Sequence, residues 1–328
     1  MKAVRIHNFG GPEVLRFEDV PLPEPGDNQA LVRVAAAGVN FIDVYQRSGF
    51  YKVPLPFTAG AEGAGTVEKA GPGCDLTPGT RVAWAMTPGA YAEYASVPSA
   101  RLVSIADDVG FDSAAAVMLQ GMTAHYLSST TFPAKSGDKA LVHAGAGGTG
   151  LLLIQMLKKK GASVYTTVST PEKAKLAKQA GADETILYRD EDFVARIKEL
   201  TGGKGIDVVY DSVGLATYQG GFEVLRPRGM LVLFGQSSGK VPPIDPIILS
   251  EKGSLFLTRP SLAHHSADRQ ELLERANEVL GWVRDGSLHL HIERRYPLAE
   301  LARAHRDLES RETTGKLIIE VGLPGRGS

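Results

Sequence analysis

The chain has 328 residues, more than one compact core normally holds, so two domains are expected. With 43% hydrophobic residues, 22% charged residues and a formal net charge of -1, it reads as a globular protein without the basic excess that would attract nucleic acid or an anionic membrane. A single cysteine, Cys74, excludes an intrachain disulfide, and no apolar run is long enough for a signal peptide or a bilayer span, so a cytosolic location is expected.

Up to about residue 105 the sequence alternates short β-type runs (Leu31 to Ala35, Gly65 to Lys69, Arg81 to Ala85) with Pro and Gly turns, which predicts a compact β-rich domain. The pattern turns helical from Phe111. After Gly137, strands and helices alternate: Ala140 to Ala144, Ser163 to Val168, Thr185 to Tyr188, Asp207 to Tyr210, Met230 to Phe234 and Ser254 to Leu257 are the expected strands. Six such strands make a parallel sheet of the size a full dinucleotide-binding fold uses. Ser169 and Thr170 are candidate helix caps, Pro171 suits a first helical position, and Gly181 marks a helix end. An amphipathic helix over Arg269 to Arg284 and a β-type run over Lys316 to Val321 follow. The sheet is already complete at six strands, so this tail is expected to rejoin the first domain.

Directly after the first of those strands stands GxGxxG, at Gly145, Gly147 and Gly150, opening the helix LLLIQMLKKK. Glycines allow the tight turn and the close approach of backbone to a pyrophosphate, whose charge the helix N-terminus stabilises. An NAD enzyme keeps an acidic residue near the end of the second strand, about 20 residues on, to hold the ribose 2′-hydroxyl. Here that stretch, Thr166 to Thr170, has no carboxylate, while Ser169, Lys173 and Tyr188 offer a hydroxyl, a cation and a phenol that suit a 2′-phosphate. NADPH is therefore the expected cofactor.

Other chemistries fit less well. Gly235 to Gly239 matches the GxSxG of a hydrolase nucleophile elbow, but Pro242 and Pro243 preclude the helix that must follow, so Ser237 and Ser238 are better placed beside a nicotinamide ribose. No tyrosine is followed by lysine four residues later, as a short-chain dehydrogenase would require. Cys74 stands alone, His264 and His265 are adjacent, and the remaining histidines form no compact motif, so no metal site is expected.

Gly38 to Asp43, Gly60 to Gly65, Gly79 to Val82, the glycine turn and Gly315 to Leu317 together resemble the medium-chain dehydrogenase/reductase superfamily along nearly the whole chain. Zinc members of that superfamily carry cysteine where Asn40 stands and histidine where Ala61 stands, so the resemblance is to its zinc-free branch. Leu119 to Thr123, Asp211 to Gly214, Phe234 to Gly239 and Thr258 to Leu262 are similar to the quinone oxidoreductases, zeta-crystallin included. The resemblance implies a GroES-like catalytic domain at residues 1–121 and 267–328, a Rossmann NADPH-binding domain at 122–266, and a homodimer joined at sheet edges. It implies that Ser169, Lys173 and Tyr188 hold the 2′-phosphate, and that Gly147, Gly148 and Thr149 lie at the pyrophosphate. Around the rest of the cofactor it places Asn40, Tyr45, Thr123, Tyr126, Ser212, Val213, Phe234, Gly235, Ser237, Ser238, Pro260, Ser261, Leu262 and Arg311. The family usually has Ala or Ser where this chain has Gly145, a departure expected to loosen the turn slightly.

The activity this implies is transfer of hydride or electrons from NADPH to a quinone without metal. The substrate is expected in an interdomain cleft beside Asn40, Tyr45, Tyr51 and Gln120, whose amides and phenols would bond a quinone oxygen or stack on its ring. Two alternatives are reduction of an alkenal or enone C=C bond, with Tyr45 as proton donor, and a non-enzymatic NADPH-binding structural or RNA-associated role.

Overall fold

The computed structural model describes residues 1–322; the last six residues of the segment expected at 267–328 lie outside them. The chain divides into unit 1, Met1–Met122 with Ser266–Ser328, and unit 2, Thr123–His265. Unit 1 begins with strands β1 (Lys2–Ile6), β2 (Leu15–Asp19) and β3 (Gln29–Val39), helix α1 (Phe41–Arg47), and strands β4 (Phe57–Thr58), β5 (Glu62–Ala70), β6 (Arg81–Ala85), β7 (Tyr94–Pro98) and β8 (Val103–Ser104). Helix α2 (Phe111–Tyr126) follows, and the division between the units falls within it.

Unit 2 continues with β9 (Lys139–His143), α3 (Gly148–Lys159), β10 (Ser163–Val168), α4 (Pro171–Gln179), β11 (Glu184–Leu187), α5 (Phe193–Leu200), β12 (Ile206–Asp211), α6 (Tyr218–Val224), β13 (Leu225–Leu233), α7 (Ile247–Glu251) and β14 (Phe256–Thr258). The chain then returns to unit 1 with α8 (Arg269–Arg284), β15 (Ile292–Pro297), α9 (Leu301–Ser310) and β16 (Lys316–Glu320).

In unit 2 the six strands lie in the order β11-β10-β9-β12-β13-β14, with every neighbouring pair parallel. This is the order of a doubly wound dinucleotide-binding sheet, which places the loops after β9 and β12 at the point where the winding reverses. Its inner strands β10, β9 and β12 are buried on both faces, as β10 shows with five of six residues buried, so they read as continuous apolar runs. Leu141, Ile186, Val209, Phe222 and Leu231 belong to its core.

β10 has the expected bounds, whereas the other strands of this sheet differ from the expected ones at their ends. β9 stops at His143 because Ala144 adopts φ +56°, which starts the glycine turn, and β14 begins at Phe256 because Ser254 adopts φ +56°. β13 is longer than expected, starting at Leu225, and carries a register irregularity around Arg228 at φ +60°. α4 begins as the sequence suggests: Thr170 is the N-cap and accepts from Lys173 N–H, Pro171 follows, and Gly181 beyond its end adopts φ +108°.

Unit 1 has a three-stranded antiparallel sheet, β2-β1-β4, and a larger sheet, β15-β16-β3-β5-β6-β8, with β7 also paired to β3. The C-terminal strand β16 runs antiparallel to β3, and Tyr296, Leu317 and Ile319 share one core with Ile6, Trp84 and Tyr91. Among the described residues, no helix is long and apolar enough to cross a membrane.

Candidate functional site

In unit 2, α3 starts at Gly148 with Gly147 as its N-cap, and no side chain caps it. The first intrahelical bond runs from Leu151 N–H to Gly147 carbonyl, so the N–H groups of Gly148, Thr149 and Gly150 point out of the N-terminus, a donor set suited to a pyrophosphate. Gly150 is required by close packing, since a Cβ there would lie 2.5 Å from the Ala144 carbonyl oxygen. Gly145 is equally constrained, which corrects the expectation of a loosened turn. A Cβ at 145 would lie 1.9 Å from Thr166 Oγ1, so the side chain of the neighbouring strand fills the space beside the glycine.

The register pairs Val168 with Leu187, which sets Ser169 and Tyr188 side by side just past the carboxyl ends of β10 and β11. Lys173 lies in the first turn of α4 beyond them, and Tyr188 is 47% exposed. Glu172, in the same turn, is fully exposed, and its carboxyl is held below the usual range by backbone N–H and by Thr170.

The loops after β12 and β13 are fastened to each other. Asp211, fully buried, accepts from Val213 N–H at 2.7 Å, Gly214 N–H at 2.9 Å and Thr217 Oγ1 at 2.7 Å. Ser237 N–H and Ser238 N–H donate to the carbonyls of Ser212 and Val213. Ser238 Oγ donates to Val213 carbonyl at 2.7 Å and accepts from Ala216 N–H at 3.0 Å, so its hydrogen is committed to the loop and only an accepting lone pair remains for a ligand. A Cβ at Gly235 would lie 2.6 Å from the Ser212 carbonyl oxygen, which explains the glycine after Phe234. The GxSxG match is not a nucleophile elbow, because the next helix, α7, begins only at Ile247.

On α2, Thr123 is buried and the Tyr126 ring stacks flat on His265, centroids 4.3 Å apart. Beyond β14, Pro260 and Ser261 lead into a turn from Leu262 to Ser266 that contains His265, with Leu262 buried and Ser261 Oγ accepting from Ala263 N–H.

In unit 1, Asn40 follows the end of β3 and is the N-cap of α1, 3% exposed. Its Oδ1 accepts from Lys316 Nζ at 2.8 Å, and its Nδ2 donates to Glu62 Oε2 at 2.8 Å and to Gly38 carbonyl at 3.3 Å. Both amide hydrogens are thus engaged inside the protein. The expectation that Asn40 donates to a quinone oxygen is corrected accordingly. Lys316 Nζ also lies 2.5 Å from Glu62 Oε2. Beneath this group, Asp43 accepts from Asn40 N–H at 2.9 Å, Ala61 N–H at 3.0 Å and Tyr91 Oη at 2.7 Å. Burial pushes the Asp43 carboxyl up to about 6, against the pull of those donors and of the Lys316 cation.

Tyr45 and Tyr51 come together edge to face at 5.4 Å, and Phe50 contacts both, at 5.7 and 5.4 Å. Phe41 extends the group, 6.1 Å from Tyr45. Phe50 and Tyr51 are 43% and 39% exposed, so this is an accessible aromatic surface. Gln120 on α2 has a buried Oε1 with no hydrogen-bond partner among the described residues, and Arg311 is an exposed C-cap of α9 in the left-handed region.

Sequence reasoning quoted Phe41, Asp43, Glu62, Asp211 and Lys316 only within motifs and gave them no role, and it did not name Phe50. The available signal was a charge amid apolar neighbours, as with Glu62 in GAEGAG and Lys316 ahead of LII. Among the described residues, no group of three or more His, Cys, Asp and Glu is placed to hold a metal.

Two family models match the chain, "Alcohol dehydrogenase GroES-like domain" over residues 26–107 and "Zinc-binding dehydrogenase" over residues 148–277. The chain is 45% identical to a quinone oxidoreductase of Pseudomonas aeruginosa, covering 97% of this chain and 99% of that one. It is 41% identical to a 2-haloacrylate reductase of a Burkholderia species, covering 97% and 98%. Among solved structures it is similar to Escherichia coli quinone oxidoreductase complexed with NADPH, with a TM-score of 0.95, 41% identity and coverage of 98% and 100%. With this fold and these likenesses over nearly its whole length, the chain belongs to the quinone oxidoreductase family of the medium-chain dehydrogenase/reductase superfamily.

Proposed function

We propose that this protein is an NADPH-dependent oxidoreductase that reduces quinones. The observation that carries the cofactor reading is the pairing of Ser169 and Tyr188 at adjacent strand ends beside the first turn of α4, with no acidic residue ending β10. That arrangement favours a 2′-phosphate over a free 2′-hydroxyl. Gly148, Thr149 and Gly150 would hold the pyrophosphate through backbone N–H groups, and the fastened loops after β12 and β13 would support the nicotinamide half. NADPH, when bound, supplies a hydride from its nicotinamide ring.

Toward the acceptor, the protein's part is orientation and exclusion of water. Tyr45, Phe50 and Tyr51 present aromatic surface on which a flat ring stacks, and the tyrosine hydroxyls are able to donate to a quinone oxygen. At the positions where zinc members keep cysteine and histidine stand Asn40, whose amide hydrogens are engaged, and Ala61, which has no donor side chain. A quinone, which accepts hydride without strong activation of its oxygen, suits such a surface.

A second reading, reduction of an activated C=C bond, is favoured by one observation, the 41% identity to a 2-haloacrylate reductase. It requires a proton donor to the carbanion, a role Tyr45 would fill. The two are separated by following NADPH oxidation by metal-chelated protein with 1,4-benzoquinone and 9,10-phenanthrenequinone, against 2-haloacrylate and 2-alkenals, and repeating the best acceptor with NADH. Rapid NADPH-specific turnover of quinones supports the first reading, turnover of the alkenes alone replaces it with the second, and turnover of neither overturns both.

A further inference from the structure

Helix α1 is seated on a polar face. Of its seven residues Asp43, Val44 and Arg47 are buried, and two of those three carry charge, while Phe41 and Tyr45, four residues apart, lie together on the partly exposed side. A helix this short has little apolar surface with which to seat itself, and apolar contact has no preferred direction. Hydrogen bonds hold it instead. At the N-terminus Asp43 accepts from Asn40 and Ala61 N–H groups and from the Tyr91 hydroxyl, and at the C-terminus Arg47, 2% exposed, takes over.

The Arg47 guanidinium is engaged on all three nitrogens of its rigid plane. Nη1 and Nη2 donate to the two oxygens of Glu309 at 2.8 Å each, Nη1 also donates to His305 Nδ1 at 3.2 Å, and Nε donates to the Gly10 carbonyl at 3.2 Å. Gly10 N–H returns a bond to the Arg47 carbonyl at 3.1 Å. The segment after β1 is thus laid against the end of α1, and Phe9 on it covers Gly49, whose φ is +77°. A Cβ there would lie 2.8 Å from the Phe9 ring. From Gly49 the chain turns back, with Gly49 N–H donating to the Gln46 carbonyl at 3.2 Å and Tyr51 N–H to the Tyr45 carbonyl at 3.0 Å. That turn brings Phe50 and Tyr51 onto the Tyr45 ring. A buried ion pair gains little net stability over apolar residues of similar size, so stability is a poor reason for an arginine here. What the planar fork supplies, and an apolar side chain does not, is a fixed rotation of the helix about its axis.

We infer that Arg47 is a positioning residue for the acceptor. By fixing the rotation of α1 and the turn at Gly49, it sets the Tyr45, Phe50 and Tyr51 rings in the arrangement on which a planar quinone stacks. The inference rests on the reading of that aromatic surface as the acceptor site, and every residue it uses lies in unit 1. Arg47 itself, enclosed by Gly10, His305 and Glu309, is too buried to touch the acceptor and acts through the rings.

The test measures KM and kcat for 9,10-phenanthrenequinone with the full-length protein at saturating NADPH, and follows NADPH affinity and melting temperature alongside. Tyr51→Ala is expected to raise KM about fivefold through lost stacking. Arg47→Met is expected to raise it by a similar factor, with kcat and NADPH affinity changed by less than about twofold. Because both act through one surface, the Arg47→Met/Tyr51→Ala pair should again give about fivefold, short of the roughly 25-fold to which independent effects multiply. If Arg47→Met does not fold by circular dichroism, Glu309→Ala, at a position one-third exposed, removes one side of the fork and should show the same coupling at about threefold. A melting temperature that falls while KM stays unchanged makes Arg47 a structural residue and overturns the inference, as do effects that multiply. A wild type that reduces quinones while Phe50→Ala and Tyr51→Ala leave KM unchanged removes the acceptor surface on which the inference stands. A wild type that reduces no quinone overturns the quinone reading itself.

Discussion

Thr166 fills the space that a side chain at residue 145 would need: a Cβ on Gly145 would lie 1.9 Å from Thr166 Oγ1, a hydroxyl itself held by the Val142 carbonyl at 2.6 Å. The phosphate-binding turn and the neighbouring strand are therefore matched to one another. Gly145→Ala is expected to lower stability by about 1–3 kcal/mol through overpacking. The Gly145→Ala/Thr166→Ala pair should recover part of that loss in thermal melts, a coupling that additive effects would not produce.

His305 is fully buried, its Nδ1 accepting from Arg47 at 3.2 Å, and Arg47 also grips Glu309 with two bonds of 2.8 Å. Burial, then the Arg47 cation, hold the imidazole down at about 3, well below its ordinary value. Because the folded value is depressed, the unfolded chain alone takes up a proton as pH falls from about 6.5 toward 3, and stability is lost over that window, by up to about 1.4 kcal/mol per pH unit. Asp43 acts in the opposite sense. Its raised value of about 6 gives a contribution present below about 4 and lost as pH rises through 6. His305→Gln keeps an acceptor for Arg47 and does not titrate, so its melting temperature should fall less steeply than wild type between pH 6.5 and 4.5.

Lys173→Ala should weaken NADPH binding about tenfold or more and leave NADH binding nearly unchanged, since only the former carries the 2′-phosphate. Fluorescence titration of both nucleotides checks this. Equal losses for the two would assign Lys173 to the helix surface alone.

β14 is an edge of the six-stranded sheet, and Phe256 on it is 56% exposed. Two copies are expected to pair along this edge, continuing the sheet. Phe256→Lys should shift the protein from dimer to monomer in light scattering, and a wild type that is monomeric at micromolar concentration would refute the pairing.

By itself, the sequence determined the alternation of apolar strands and helices in residues 140–258, because strands covered on both faces and helices with caps such as Thr170 and Gly181 leave local signatures. It also determined the glycine turn ahead of α3 and the missing acid after β10, since both are features of residue type at a short spacing. Only the tertiary structure decided which way the Asn40 amide turns. Its partner Lys316 is 276 residues away, and Arg47 lies 258 residues from His305, so no local pattern records either pairing. The same holds for Gly145, which looks permissive in sequence and is tightly constrained in the fold because the Thr166 side chain, on the next strand, occupies the place of its missing side chain. Strand and helix type are set by neighbours in the chain, whereas the direction of a buried hydrogen bond is set by whichever distant strand the sheet brings alongside.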